Sequence, residues 1–266
     1  MTAFEGISAV VLDMDGVIYR GDRPVRAAAR AVKRLRDSGK KLVFSTNNSA
    51  STRAAYVRKL ARMGIPAREH EIVTSGYATA IYLQKHTPLA RIYVVGENGL
   101  RSELKRAGLN LVPIKKPETA THVVVGLDRT INYGKIAGGL RALLAGAEFI
   151  ATNADATYPT ERGLSPGAGA TVGALAGCSG RNPSLVIGKP SPYMIEIALE
   201  LLGTKPSETA IVGDRLDTDI RVGKKMGLRT ILVLSGACTK READRAKNTE
   251  MAPDFVFKNI AEAVVS

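Results

Sequence analysis

Short apolar runs recur along the chain and alternate with segments of helical periodicity. Each run is four or five residues long and rich in Val, Ile and Leu, which is typical of strands buried on both faces. Between the first runs, apolar residues recur three or four positions apart, as at Ala29, Val32 and Leu35. Gly39 and Gly64 follow the first two helical segments and are predicted to end them. The predicted strands are residues 9–12, 41–44, 91–95, 122–125, 148–151, 184–187, 209–212, 230–234 and 254–257.

This alternation predicts an α/β protein with a Rossmann-like, doubly wound parallel sheet that helices cover on both faces. A chain of 266 residues is long enough for one large domain or for a core with a smaller insert. In such sheets the ligand site lies beyond the carboxyl ends of the strands. The residues that directly follow each apolar run are therefore the candidates for function.

Composition excludes several classes of protein. A hydrophobic content of 45% with 24% charged residues is ordinary for a globular chain. Two cysteines, Cys178 and Cys238, do not make a disulfide framework or a metal-ligand spacing, which favours a reducing compartment. The apolar stretches fall short of the roughly 18 residues that cross a bilayer. We expect a cytoplasmic protein without a membrane partner.

The net charge of +13 has three explanations: affinity for nucleic acid, attraction of anionic substrates, or a basic solvent-exposed face. The basic residues are scattered over helical segments, and few aromatic residues lie among them to stack on bases. This pattern favours the exposed face, leaves a weak attraction for phosphate open, and predicts no nucleic-acid partner.

Two carboxylates, Asp13 and Asp15, follow the first predicted strand in the sequence Asp-Met-Asp-Gly. The tetrapeptide also suits a simple exposed turn, because Asp and Gly are common turn residues. Two acids packed at a sheet edge repel each other unless a cation or phosphate-binding network organises them. Magnesium is therefore an attractive partner.

Polar residues also follow the second strand, where Ser45, Thr46, Asn47, Asn48 and Ser49 precede a helix expected near Ser51. They suit N-capping of that helix, and a helix N-terminus with hydroxyl and amide groups also binds phosphate oxygens. The two roles are compatible.

Lys189 follows the strand at 184–187, between Gly188 and Pro190. A lone lysine in a loop is usually solvated. At a strand-to-helix turn it could instead neutralise a phosphate or a carboxylate.

Three acids follow the strand at 209–212, and they could simply complement the dipole of the next helix. Asp217 is assigned that role. Asp214, directly after the strand and Gly213, is better placed to complete a magnesium site with Asp13 and Asp15. The third acid of the group is Asp219.

Taken together, the four motifs resemble those of the haloacid dehalogenase superfamily of phosphohydrolases. Their order is Asp-x-Asp, Thr-Asn-Asn, Gly-Lys-Pro and Gly-Asp-x-x-x-x-Asp, and they cover essentially the whole chain. The resemblance implies that Asp13 attacks phosphorus to give an aspartyl-phosphate, while Asp15 is the general acid and base. The presence of Asp15 favours hydrolysis over dehalogenation or phosphate transfer.

The resemblance also implies the remaining site residues. Magnesium would be held by the Asp13 carboxylate, the Asp15 backbone carbonyl and Asp214. The phosphorylated substrate would be bound by Thr46, Asn47, Asn48, Lys189 and Tyr158, and Asp219 would orient Lys189 or a metal-bound water.

The spacing between Thr46 and Lys189 exceeds a hundred residues, which is too long for one βα crossover and requires an inserted cap domain. We expect a core at residues 1–80 and 182–266 and an α/β cap at 81–181, which resembles the NagD-like, type IIA subfamily of 4-nitrophenyl phosphatases. A homodimer through the cap is implied by the resemblance alone. Tyr158 stands before Pro159, where relatives that cleave pyridoxal phosphate have His, so that substrate is disfavoured; packing within the cap is the alternative role of Tyr158.

The sequence thus predicts a magnesium-dependent phosphatase of a small phosphomonoester, with 4-nitrophenyl phosphate as an artificial substrate. The natural candidates are phosphoglycolate, a sugar phosphate or a nucleoside monophosphate. Two alternatives are a non-catalytic protein that binds a phosphorylated metabolite and a nucleic-acid binder motivated by the charge. Retention of both Asp13 and Asp15 speaks against the first.

Overall fold

The computed structural model describes residues 2–160 and 163–265, in which strands and helices alternate. The strands are β1 (Ala9–Asp13), β2 (Tyr19–Arg20), β3 (Arg23–Pro24), β4 (Lys41–Thr46), β5 (Ile72–Thr74), β6 (Arg91–Val95), β7 (Asn110–Leu111), β8 (His122–Val125), β9 (Glu148–Ala151), β10 (Thr157–Thr160), β11 (Gly163–Pro166), β12 (Leu185–Val186), β13 (Thr209–Gly213), β14 (Arg229–Val233) and β15 (Phe255–Phe257). The helices are α1 (Ala28–Asp37), α2 (Arg53–Arg62), α3 (Ser75–His86), α4 (Asn98–Arg106), α5 (Tyr133–Leu144), α6 (Ala168–Ser179), α7 (Tyr193–Leu202), α8 (Arg221–Met226), α9 (Lys240–Ala246) and α10 (Ile260–Val265).

The first sheet has six parallel strands in the order β15-β14-β13-β1-β4-β5. Strand β1 lies at its centre, and all five of its residues are buried. Its side chains alternate between two apolar clusters, with Val10 and Leu12 on one face and Ala9 and Val11 on the other. Burial on both faces explains why the strand is apolar without polar alternation.

The second sheet has five parallel strands in the order β12-β9-β8-β6-β7. Two antiparallel hairpins, β2-β3 and β10-β11, each pair only with themselves. Parallel sheets joined through helices are the α/β architecture that the sequence predicts, so the fold class is confirmed.

One apolar cluster joins the two sheets. It contains Val11 and Val43 of the first sheet, Val94 and Ile150 of the second, and buried residues of α3, α4 and α7, including Leu83, Leu100 and Ile195. The helices α3, α4 and α7 therefore form a layer between the sheets. Further clusters cover the outer face of each sheet.

The nine predicted strands all coincide with observed ones, with ends that differ by at most two residues. The strands β2, β3, β5, β7, β10 and β11 are not predicted, because none of them contains an apolar run of four residues. Gly39 and Gly64 follow α1 and α2 with φ of 77° and 74°, as a helix-ending glycine requires.

The limits of the cap stay a prediction, and two features bear on them. The limit at residue 80 falls inside α3. Strand β12 pairs with β9 of the second sheet, so residues 185 and 186 lie with the cap although 182–266 was assigned to the core. We therefore propose a second limit close to residue 187. Among the described helices, none has the length and apolar content needed to cross a bilayer.

Candidate active site

A cleft of about 660 Å³ lies at the carboxyl ends of β1, β4 and β13, where it faces the second sheet and the β10-β11 hairpin. All nine residues singled out in the sequence line this one cleft: Asp13, Asp15, Thr46, Asn47, Asn48, Tyr158, Lys189, Asp214 and Asp219. Because parallel strands end at the same edge, residues as far apart as 13 and 219 meet there.

Lys189 lies between two carboxylates. Its Nζ is 2.6 Å from Oδ1 of Asp13 and 2.6 Å from Oδ1 of Asp219, and only 2% of its side chain is exposed. Burial alone would lower the pKa of Lys189, but the two carboxylates raise it above its ordinary value, so the ammonium stays charged. The predicted contact of Asp219 with Lys189 is present.

Asp214 is held rigidly beside this pair. Its Oδ2 accepts a hydrogen bond of 2.6 Å from the backbone N–H of Ala237. A Cβ on Gly16 would lie 2.2 Å from Oδ2 of Asp214, and one on Gly236 would lie 1.9 Å from it. The turn after β1 and the loop after β14 therefore need glycine to approach this carboxylate.

The acids form a group that suits a hard divalent cation. Carboxylate oxygens of Asp13, Asp214 and Asp219 lie within 4.8 Å of one another and are buried. Burial raises the pKa of Asp13 well above its ordinary value, and burial with the charge of Asp219 raises the pKa of Asp214 to about 7. One lysine does not balance three carboxylates, and an oxygen-rich acidic site of this kind is what Mg²⁺ prefers.

Asp15 lines the same cleft but is not a member of that acidic group. Its Oδ2 accepts a hydrogen bond of 3.5 Å from the Tyr19 hydroxyl, and Lys59 lies near. Burial nevertheless raises the pKa of Asp15 to about 6. A carboxyl with a pKa in this range exchanges protons readily near neutral pH, which suits the predicted acid and base role.

The polar segment after β4 contains a residue that joins the two sides of the cleft. The side-chain oxygen of Asn47 accepts from the Lys189 N–H at 2.9 Å, and its nitrogen donates to the Lys189 carbonyl at 2.9 Å and to Asp155 at 3.1 Å. The predicted binding of phosphate by the Asn47 side chain would compete with these bonds. Thr46, at the end of β4, accepts from the backbone N–H of Asn48 at 3.1 Å.

Two hydrogen-bonded residues of the cap line the cleft opposite the core, Asn153 and Asp155. They follow β9, and the Asn153 amide donates to Asp155 at 2.9 Å. The sequence analysis gave neither residue a role.

Tyr158 lies on the hairpin above the cleft. It packs against Ala50, Leu127 and Ala168 and also borders the cleft, and its role toward the substrate stays a prediction.

Other lining residues were not predicted at all. Arg215 borders the cleft and is paired with Asp217 at 2.8 Å. Asp217 also lies in the first turn of the helical segment Leu216–Ile220, as its expected helix-dipole role requires. Leu127 and the neighbouring Arg129 come shortly after β8. These two residues would have been found if the residues that follow the strands of the second sheet had been taken as candidates, as they were for the first sheet.

Comparison with known proteins agrees with this site. A family model described as haloacid dehalogenase-like hydrolase matches residues 10–110, and a second one, HAD-hydrolase-like, matches residues 186–263. The acid sugar phosphatase of Staphylococcus aureus (strain USA300) is 39% identical over 256 residues, which is 96% of each chain.

Solved structures extend the likeness to the whole fold. The p-nitrophenyl phosphatase from Archaeoglobus fulgidus has a TM-score of 0.89 at 37% identity and covers 97% of this chain and 98% of its own. The 4-nitrophenylphosphatase from Thermotoga maritima has a TM-score of 0.92 at 34% identity and covers 100% and 99%.

The chain therefore belongs to the haloacid dehalogenase-like hydrolases. Within them it is a phosphatase of the type IIA, NagD-like branch, with the cap that this branch carries. The resemblance read from the four sequence motifs is confirmed.

Proposed function

We propose that this phosphatase hydrolyses small phosphomonoesters with the help of Mg²⁺ and through an aspartyl-phosphate on Asp13. The observation that carries the proposal is the buried Asp13 carboxylate, held at 2.6 Å by the Lys189 ammonium at the carboxyl end of the central strand. The bond from Lys189 goes to Oδ1 and leaves the other oxygen for attack.

The proposed hydrolysis proceeds in two steps. In the first, an Asp13 oxygen forms a bond to phosphorus while the bond from phosphorus to the leaving oxygen breaks, and Asp15 gives that oxygen a proton. In the second, Asp15 takes a proton from water as the water oxygen bonds to phosphorus and the bond from phosphorus to the Asp13 oxygen breaks. Inorganic phosphate leaves, and the Asp13 carboxylate is restored.

Charge compensation is the main task of the remaining groups, as is usual in phosphoryl transfer. Lys189 neutralises Asp13 and the incoming phosphoryl oxygens, and Asp219 keeps the ammonium in place. Asp13, the Asp15 carbonyl and Asp214 are the proposed ligands of Mg²⁺, which would supply positive charge beside the transferred phosphoryl group.

The proposed substrate class is based on the names of the similar proteins. Their names point to sugar phosphates and to 4-nitrophenyl phosphate, so we propose a sugar phosphate as the natural substrate and 4-nitrophenyl phosphate as a convenient artificial one. The homodimer through the cap stays a prediction, supported by the exposed side chains of Tyr133 and Leu144 on α5.

The first test compares wild type with Asp13→Asn on a panel of phosphomonoesters, each with and without added magnesium. We expect Asp13→Asn to lose activity by roughly a thousandfold or more, because an amide is a poor nucleophile. Wild type should be active only with the metal. Equal phosphate release by the two proteins would contradict the assignment of the nucleophile.

The second test addresses Asp15. We expect Asp15→Asn to form the phosphoenzyme slowly and to hydrolyse it slowly, with kcat lower by about a hundredfold or more because proton transfer is lost. Rapid-quench measurement of protein-bound phosphate separates the two steps. Asp217→Asn is the control: Asp217 is an exposed acid that is not in the acidic group, so this variant should retain wild-type turnover.

A further inference from the structure

The turn that follows β1 places a tyrosine beside Asp15, the general acid of the proposed mechanism. The backbone N–H of Gly16 donates to the carbonyl of Tyr19 at 2.7 Å, and the N–H of Tyr19 donates to the carbonyl of Met14 at 3.2 Å. Gly16 has a φ of 80°, a conformation that favours glycine. The chain therefore folds back on itself, and the side chain of Tyr19 returns to that of Asp15, four residues earlier.

The Tyr19 hydroxyl is directed at the Asp15 carboxyl. Tyr19 is only 1% exposed, and its hydroxyl donates to Oδ2 of Asp15 at 3.5 Å. Within residues 2–160 and 163–265, this is the one hydrogen bond that the Asp15 carboxyl makes. A buried hydroxyl without a partner is costly, so the contact restrains both side chains.

A cation of α2 fixes the ring of Tyr19. The Nζ of Lys59 lies 3.8 Å from the centre of that ring and 3.4 Å from Oδ1 of Asp22, in the turn between β2 and β3. An ammonium over an aromatic face is attracted to it, and only 20% of the Lys59 side chain is exposed to water. Because the cation also draws electron density from the phenol, the hydroxyl is a better donor to Asp15.

The contact also distinguishes the two oxygens of the Asp15 carboxyl. Since Tyr19 donates to Oδ2, that oxygen acts as an acceptor, and Oδ1 is left to carry the proton of the neutral acid. Asp15 lines the active-site cleft and Tyr19 does not. The tyrosine therefore acts on the substrate only through Asp15.

We propose that Tyr19 is a positioning residue that orients the Asp15 carboxyl toward the leaving oxygen of the substrate, and that Lys59 holds the tyrosine in place. An acid that is fixed with one oxygen toward the leaving group transfers its proton more readily than one that rotates freely. This inference rests on the proposed phosphatase mechanism and adds two residues to it.

The experiment uses three esters of similar size whose leaving groups need a proton to different degrees. 4-Nitrophenolate leaves readily without a proton, phenolate leaves less readily, and the alkoxide from benzyl phosphate leaves least readily. The kcat/KM for phosphate release with magnesium is measured for wild type, Tyr19→Phe, Lys59→Met and Asp15→Asn. Tyr93→Phe is the matched control, because Tyr93 is also 1% exposed and its hydroxyl donates to the Lys135 carbonyl at 3.3 Å, within the second sheet and its helices.

We expect Tyr19→Phe to lower kcat/KM by about tenfold for benzyl phosphate and by less than about twofold for 4-nitrophenyl phosphate, with phenyl phosphate between them. Lys59→Met should show the same trend with a smaller loss, and Lys59→Arg, which keeps the charge, should restore it. Tyr93→Phe should affect the three esters alike. A smaller fraction of folded protein would lower all three values by one factor, so the ratios between esters are independent of it.

Equal losses across the three esters in Tyr19→Phe, beside a leaving-group trend in Asp15→Asn, would overturn the inference alone. Failure of the proposed function has a different signature: Asp15→Asn would show no such trend, or wild type would release no phosphate from any of the three esters. Either result would overturn the inference as well.

Discussion

At the scale of single residues, the site depends on how Lys189 is held. Its ammonium is fixed by two carboxylates, and its backbone is fixed by Asn47, which bonds both the N–H and the carbonyl. Asn47 belongs to the core, whereas Asp155, its third partner, belongs to the segment after β9. One amide side chain thus aligns the lysine and ties the two sides of the cleft together.

Replacing Asn47 tests this arrangement. We expect Asn47→Ala to destabilise the protein by about 2 kcal/mol, because buried backbone groups of Lys189 lose their partners, and to lower kcat because the ammonium is no longer aligned. Urea unfolding and steady-state kinetics measure the two effects. Asn248→Ala, at an exposed position, serves as the control and should alter neither quantity. A stable Asn47→Ala protein with normal kcat would refute the role.

The sequence predicted some of these residues and not others, for a physical reason. Asp13, Lys189 and Asp214 come within two residues of the end of an apolar run. They could be predicted because ligand sites in parallel sheets lie at the carboxyl ends of the strands. Lys59, which lies near Asp15, is within a helix, and which neighbour a helix faces is decided by tertiary packing.

At the scale of elements, the turn from β8 to α5 contains a buried ion pair. Asp128, with no exposed side-chain area, accepts from Lys135 Nζ at 2.7 Å and from the Thr130 hydroxyl at 2.8 Å. Burial alone would raise the pKa of Asp128, but these bonds outweigh it and the pKa lies below its ordinary value. The pair connects the end of a cap strand to the first turn of the following helix.

This pair makes the stability of the protein depend on pH. Because the pKa of Asp128 is lower in the folded than in the unfolded chain, its contribution is present above about pH 4 and is lost as the pH falls through the folded value. We expect Asp128→Asn to lower the free energy of unfolding by about 2 kcal/mol at pH 7, since it leaves the Lys135 ammonium unpaired.

The measurement is urea unfolding of both proteins at neutral and acidic pH, where the difference should shrink in acid. Asp37→Asn removes an exposed pair with Lys33 and should cost under about 0.5 kcal/mol at any pH. A difference for Asp128→Asn that does not change with pH would contradict the assignment.

The arrangement of the strands in the sheets could also be predicted only in part from the sequence. The run at 184–187 was predicted to be a strand, but the strand with which it pairs was not predicted. An apolar pattern indicates that a segment is buried and does not indicate its neighbour in the sheet. The structure joins β12 to β9, and only Ile187 and Gly188 separate the end of β12 from Lys189.

At the scale of the whole molecule, the layer of α3, α4 and α7 shares one apolar cluster with both sheets. A core and a cap joined only by linkers would unfold separately, whereas a shared interior couples them. Leu83 of α3, which is fully buried in this cluster, is a suitable probe.

We expect a single unfolding transition, detected at the same midpoint by far-UV circular dichroism and by tyrosine fluorescence, since the chain has 8 Tyr and no Trp. Leu83→Ala should shift that transition by 2 to 5 kcal/mol, an order-of-magnitude expectation for a buried Leu, without splitting it. Amide hydrogen exchange in β1 and β8 should give similar opening energies. Two separated transitions would show that the sheets are energetically independent.

The short connection between β12 and Lys189 ties the lysine to both sheets. The backbone N–H groups of Ile187 and Gly188 donate to the carbonyls of Ala151 and Thr152 at the end of β9, while the Lys189 ammonium bonds Asp13 at the end of β1. The positive charge beside the nucleophile is therefore positioned by the cap as well as by the core.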